Sequence, residues 1–132
     1  MHRGLLAEAI SANAARFSHA VRRIINGKVL NAGQTCIAPG QVLKPKDAIP
    51  RFIAEARDIL KTQLPDGAAC DDFTGVATNR HFTCLLQLTL EATAAGAEAS
   101  VAWHCMVTAR DGQRKLPLTL LTAYSNDLRV MQ

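Results

Sequence analysis

The stretch "NGKVLNAGQTCIAPGQVLKP", residues 26–45, decides how the rest of the chain is read. It leaves a helix-like segment, bends through Gly33, presents Cys36 and ends in an apolar run fenced by prolines. Upstream, Phe17, Val21, Ile24 and Val29 recur at helical spacing within residues 12–30, with Arg16, Arg22 and Arg23 off that face. Ser11 or Asn13 is expected to cap this helix and Gly33 to stop it. "QVLK" (41–44), between Pro39 and Pro45, is expected to form a short strand. A nucleophilic thiol must reach a pocket, ionise readily and find donors for the oxyanion it creates. A glycine-bearing bend between helix and strand supplies reach and outward-pointing N–H groups. Taken by themselves, these residues also fit the commoner fate of a free cysteine, a small buried hydrophobe.

Beyond the bend, Asp47 is expected to cap a second helix that tolerates Pro50 in its first turn. Its buried stripe would be Ile49, Phe52, Ile53, Ala56 and Leu60, and "LPDG" (64–67) would end it. Residues 68–78 read as loop. Asn79 is expected to cap a third helix, with Phe82, Leu85, Leu86 and Leu90 on one face and Gly96 as its stop. "SVAWHCMV" (100–107) and "LPLTLLTAY" (116–124) read as strands, joined through a turn at Asp111 and Gly112. The order helix, strand, helix, helix, strand, strand is an α/β pattern, with helices packed on a small mixed sheet. No repeat or linker interrupts it, so residues 1–132 read as one domain.

Composition narrows the function classes. A 48% hydrophobic content builds a core and excludes a disordered segment. The net charge of +4 is spread over separate pairs, Arg22 with Arg23, Lys44 with Lys46, and Arg114 with Lys115. Only 5% of residues are aromatic and none alternates with those pairs, which argues against a nucleic-acid surface. No apolar run reaches the length of a membrane span, and Glu8 interrupts the N-terminal apolar run, so no signal peptide is expected. Cys36, Cys70, Cys84 and Cys105 are irregularly spaced without a CxxC pair, which points to free thiols in a reducing cytoplasm. His81 with Cys84, and His104 with Cys105, could in principle meet around a metal. The plainer expectation is no metal, with Cys84 and Cys105 in the core and the histidines partly exposed. Trp103 and Tyr124 are expected in the core or at an interface.

"GKVLNAGQTCIAP" (27–39) closely resembles the active-site cysteine segment of the aldehyde dehydrogenase superfamily, and most of all its coniferyl-aldehyde dehydrogenase branch. "NRHFTCLLQLTLEATAAGA" (79–97) resembles that branch's Asn-Asp-Arg-His helix. "RKLPLTLL" (114–121) and "NDLRVMQ" (126–132) resemble its Lys-Leu-Pro-Pro-Thr strand and the Met-Gln after it. The resemblance implies part of a catalytic domain in which Cys36 is the nucleophile and its backbone N–H one half of an oxyanion hole. In the family the thiolate adds to an aldehyde, hydride passes to NAD(P), and a glutamate-activated water hydrolyses the thioester.

Parts of that machinery have no match in these residues. No dinucleotide-binding domain is read in these residues, and no GxGxxG run occurs among them. Asn31 is not the counterpart of the family's remote oxyanion asparagine. Counted back without gaps from Cys36, the general-base glutamate falls on His2. Gly4, Ala9 and Ile10 fit the pattern there, and Glu8 is out of register. Gly40 and Gln41 replace the branch's usual Asp-Tyr. The expectation is a chain that binds no cofactor and does not oxidise aldehydes by itself. The alternatives are a binding or scaffold module and a residual thiol esterase. Two apolar strands with cover on one face only also predict a homodimer.

Overall fold

The computed structural model describes residues 14–101, 113–123, 125 and 127–131. Three helices dominate: α1 (Ala14–Val29), α2 (Ile49–Gln63) and α3 (Asn79–Ala94). Two short strands, β1 (Glu98–Val101) and β2 (Thr119–Thr122), pair antiparallel, with Glu98 opposite Thr122 and Val101 opposite Thr119. The α/β reading holds, with this antiparallel pair as the sheet among the described residues.

The core lies between α1 and α2. Phe17, Val21, Ile24 and Ile25 of α1 meet Phe52, Ala56 and Leu60 of α2, and all are buried. Val29, Val42, Leu118 and Leu120 pack against this cluster, so β2 and the segment after the bend rest on the helix pair. Ile25, 1% exposed, extends the expected α1 face to the eighth residue beyond Phe17. In α2 the stripe is buried at Phe52, Ala56 and Leu60 and half-buried at Ile49 and Ile53.

Several local expectations are corrected. Residues 41–44 form no strand; they run as irregular chain with no ladder partner among the described residues, since a strand needs a neighbour to pair with and the prolines at 39 and 45 break the approach. Asp47 does not cap α2. It lies in a 3-10 turn, Lys46–Ala48, and the residue at the cap is Ala48, with Pro50 in the first turn as expected. The cap of α3 is Thr78, one residue ahead of Asn79, and its Oγ1 accepts from the His81 N–H at 3.2 Å. Phe82 is buried, but Leu85 and Leu90 on the same face stand exposed, as does Cys84, which was expected in the core. Gly96 ends α3 at φ +95°, as its freedom from a Cβ permits. The expected cap at Ser11 or Asn13 and the turn at Asp111 and Gly112 lie outside the described residues, as do Trp103, His104, Cys105 and Tyr124.

Lys44 closes one end of the core. Its ammonium stands 4.3 Å from the Phe17 ring centroid and 4.4 Å from that of Phe52, and donates to the Ala48 carbonyl at 2.9 Å. Desolvation pushes its pKa down to about 8; Arg51 adds to the fall, while Glu55 and Asp47 oppose it. Among the described residues no helix is long and apolar enough to cross a membrane.

Candidate active site

The site is built on the exit from α1. After Val29 the chain tightens into a 3-10 turn, Leu30–Gly33, in which Asn31 (φ 51°), Ala32 (φ 53°) and Gly33 (φ 73°) are successively left-handed. Only the glycine takes this conformation without steric penalty. The Lys28 side chain folds over Gly33: a Cβ there would lie 3.0 Å from Lys28 Cε and 3.1 Å from its Nζ. That packing desolvates the Lys28 amine and lowers its pKa.

A second turn follows at once. The Ala38 N–H donates to the Thr35 carbonyl at 3.1 Å, with Cys36 and Ile37 at the corner. Cys36 is exposed, and its N–H has no hydrogen-bond partner among the described residues. The Thr35 hydroxyl beside it is buried and also without a partner among the described residues. A shallow groove of about 180 Å³ opens next to this turn, lined by Arg23, Ile24, Gly27, Ile37, Pro39, Gln41 and Val42. Gln41 reaches the C-terminal segment, its Nε2 lying 3.4 Å from Met131 Sδ.

Gln34 joins this bend to a distant strap of chain at 75–77. Its Nε2 donates to the Asn31 carbonyl at 3.0 Å and the Gly75 carbonyl at 3.1 Å, and its Oε1 accepts from the Ala77 N–H at 2.8 Å. Arg114 holds the same strap from the other side. Its Nε donates to the Val76 carbonyl at 2.7 Å and its Nη2 to the Ala77 carbonyl at 3.2 Å, while its own carbonyl accepts from Val76 N–H at 2.7 Å. Arg114 Nη1 also reaches Asn79 Oδ1 at 3.4 Å, at the start of α3. Next along, the buried Lys115 donates to the Cys70 carbonyl at 2.8 Å. The cysteine segment and the Arg-Lys-Leu-Pro segment are therefore bonded through residues 75–77, and Arg114 links them to the start of the Asn79 helix.

A scan against family models matches "Aldehyde dehydrogenase family" over residues 6–132. The chain belongs to the aldehyde dehydrogenase family. It is 33% identical over 126 residues to a "Probable coniferyl aldehyde dehydrogenase" of Caulobacter vibrioides, covering 93% of this chain and 26% of that protein. A protein of the same name from Pseudomonas aeruginosa is 33% identical over 124 residues, covering 94% and 25%. A "Beta-apo-4'-carotenal oxygenase" of Neurospora crassa is 41% identical over 69 residues, covering 52% and 13%. The chain thus spans about a quarter of the length of its coniferyl aldehyde dehydrogenase relatives.

Of the residues singled out from sequence, Cys36 lies in the bend beside the Gln34 tie. His81 and Cys84 are exposed on α3, and among the described residues no three metal-ligating side chains gather at one point. His2 and Glu8 lie outside the described residues. Gln34 and Arg114 were not picked out by sequence reasoning. The available signal was a long polar side chain lodged between Gly33 and Cys36 in a mostly apolar stretch.

Proposed function

We propose that this chain carries the nucleophile-bearing part of an aldehyde dehydrogenase, with the Cys36 thiolate adding to an aldehyde carbon. The observation that carries this reading is the exposed thiol at the corner of a turn, on a bend that resembles the family's cysteine segment and lies within the residues the family matches. In the step, a bond forms between Sγ and the carbonyl carbon, and the π pair moves to oxygen. The Cys36 N–H, unpaired among the described residues, is the donor available to that oxygen. The oxyanion then takes a proton from solvent, giving the hemithioacetal.

Further oxidation needs a hydride acceptor and a base. The described residues do not fit a dinucleotide: their sheet is an antiparallel pair without the parallel strand–helix crossover, and the sequence has no phosphate-cradling glycine run. No step is derived through that cofactor. Taken alone, these 132 residues form the thiol adduct without oxidising it. Aromatic aldehydes are the proposed substrate class, from the printed names of the coniferyl aldehyde relatives.

Two measurements test this together. Aromatic aldehyde should protect Cys36 from iodoacetamide, read by peptide mass spectrometry, while NADH absorbance stays flat with NAD and aldehyde present. Loss of each element of a concerted site costs on the order of a hundredfold or more, so no turnover is expected. Clear turnover that disappears in Cys36→Ala would overturn the inactivity, and an unprotected Cys36 would overturn the nucleophile. Hydrolysis of an activated ester by Cys36 would favour the residual esterase over a scaffold role.

We also propose that this stretch, made alone, pairs with a second copy. Leu30, Ile37, Leu43 and Leu90 are each at least 60% exposed, large apolar side chains that a second copy would cover. Two-fold pairing is the commonest remedy. Light scattering after size exclusion should give twice the chain mass at tens of micromolar; a monodisperse monomer that unfolds cooperatively would refute it.

A further inference from the structure

We propose that Gln34 is the positioning residue for Cys36, and that Arg114 acts on the same thiol at second hand through the strap at 75–77. The inference rests on the reading of Cys36 as nucleophile. The bend has little else to hold it. Asn31 and Ala32 sit in left-handed backbone that each would leave if released. The turn at 35–38 is closed by a single backbone bond. Gln34 lies between these two features, and its amide uses both ends at once. One bond goes back to the Asn31 carbonyl, at the strained turn, and two go across to the strap.

The strap can bear this because it is itself over-determined. Five successive backbone groups are engaged: the carbonyl of Gly75, both polar groups of Val76 and both of Ala77. Gln34 takes the Gly75 carbonyl and the Ala77 N–H. Arg114 takes the other three. The strap runs alongside Arg114: a Cβ at Gly75 would lie 3.4 Å from the Arg114 carbonyl oxygen, in ordinary contact. A rigid side-chain fork on one side and a primary amide on the other thus fix the chain that fixes the bend. A site held by supporting hydrogen bonds keeps its reacting atom within a fraction of an ångström, and a misplacement of about 1 Å costs a catalysed step roughly a hundredfold.

The test uses the full chain and an internal reference. Cys84 is exposed on α3 and makes none of the bonds of the tie, so iodoacetamide labelling of Cys36 is read as a ratio to Cys84 by peptide mass spectrometry. Each variant is checked by thermal melting to be folded at the labelling temperature. In the unsubstituted chain Cys36 should label faster than Cys84. Gln34→Ala should lower the ratio about tenfold, a milder effect than on a catalysed step. Gln34→Glu keeps the acceptor for Ala77 N–H and loses both donations, so it should fall between the two. Arg114→Lys keeps the charge and drops the fork, and should lower the ratio in the same direction by less. It reads the same coupling should Gln34→Ala fail to fold. A residue that merely stabilises the fold would move both cysteines together. A fast Cys36 whose ratio is unmoved or raised in every folded variant overturns the positioning role alone. A Cys36 no faster than Cys84 in the unsubstituted chain overturns the nucleophile reading, and this inference with it.

Discussion

Leu60→Ala is expected to destabilise the chain by about 2–5 kcal/mol, the range for truncating a buried leucine. Leu60 is 2% exposed and packs from α2 into the cluster with Val21 and Ile25 of α1. It also borders a small existing void of about 20 Å³ shared with Val29, Phe73 and Leu118. Removing its isobutyl group enlarges that void, because the wall opposite comes from other elements that cannot simply close in. The penalty grows with residual cavity volume, so this site belongs toward the upper half of the range. Domains hold only about 5–15 kcal/mol in total, and one of this size lies toward the lower end. The variant should therefore be partly or wholly unfolded at room temperature. Urea denaturation followed by circular dichroism checks it, with Leu90→Ala as the comparison. Leu90 is 65% exposed, and its loss should change stability by less than about 0.5 kcal/mol. Equal effects at the two positions would mean that the core is not where α1 meets α2.

That contrast between two leucines also marks how far the chain could be read without coordinates. Periodicity locates helices because each helix writes its own pattern, and α1, α2 and α3 all lie where the spacing put them. It does not say what covers the patterned face. Phe52 and Phe82 stand on equally regular stripes, yet the α2 stripe finds α1, while Leu85 and Leu90 on α3 find solvent. The residues 41–44 failed for the same reason. A short run such as Gln-Val-Leu-Lys is only a strand if another strand lies alongside, and pairing is a tertiary fact. At the site, the bend and Cys36 were legible because glycine and cysteine carry local chemistry. The tie was not. Gln34 meets Gly75 and Ala77 across 41 and 43 residues of chain, and Arg114 meets Val76 across 38. Nothing in a one-dimensional pattern pairs them. What did survive was order: the cysteine segment and the Arg-Lys-Leu-Pro segment, which resembled one family, meet at the strap at 75–77, and Arg114 reaches on to Asn79 of the third.

Gly33→Val should be the most damaging single change in the bend, at roughly 2–4 kcal/mol when the backbone and crowding penalties are combined. Gly33 sits at φ +73°, where an L-residue clashes with its own carbonyl and a β-branched one is a genuine outlier. Its neighbours cannot absorb the change, since Asn31 and Ala32 already occupy the left-handed region at φ 51° and 53°. A third strained residue in sequence leaves none free to relax. The new Cβ would also meet Lys28, at 3.0 Å from Cε and 3.2 Å from Cδ. The lysine can swing aside, but only by giving up the packing that now buries it. Two effects then separate in measurement. Urea denaturation reports the lost stability. Iodoacetamide labelling reports whether Cys36, three residues on, keeps its place, and its ratio to Cys84 should fall as it does for Gln34→Ala. A substitution of opposite kind should act the other way: Ala32→Gly relieves a residue of the same turn, so it should be neutral or stabilise by up to about 1 kcal/mol, despite the extra freedom it gives the unfolded chain. If Gly33→Val melts with the unsubstituted chain and Ala32→Gly weakens it, the turn after α1 is not left-handed in solution, and the anchorage proposed for Cys36 begins from the wrong geometry.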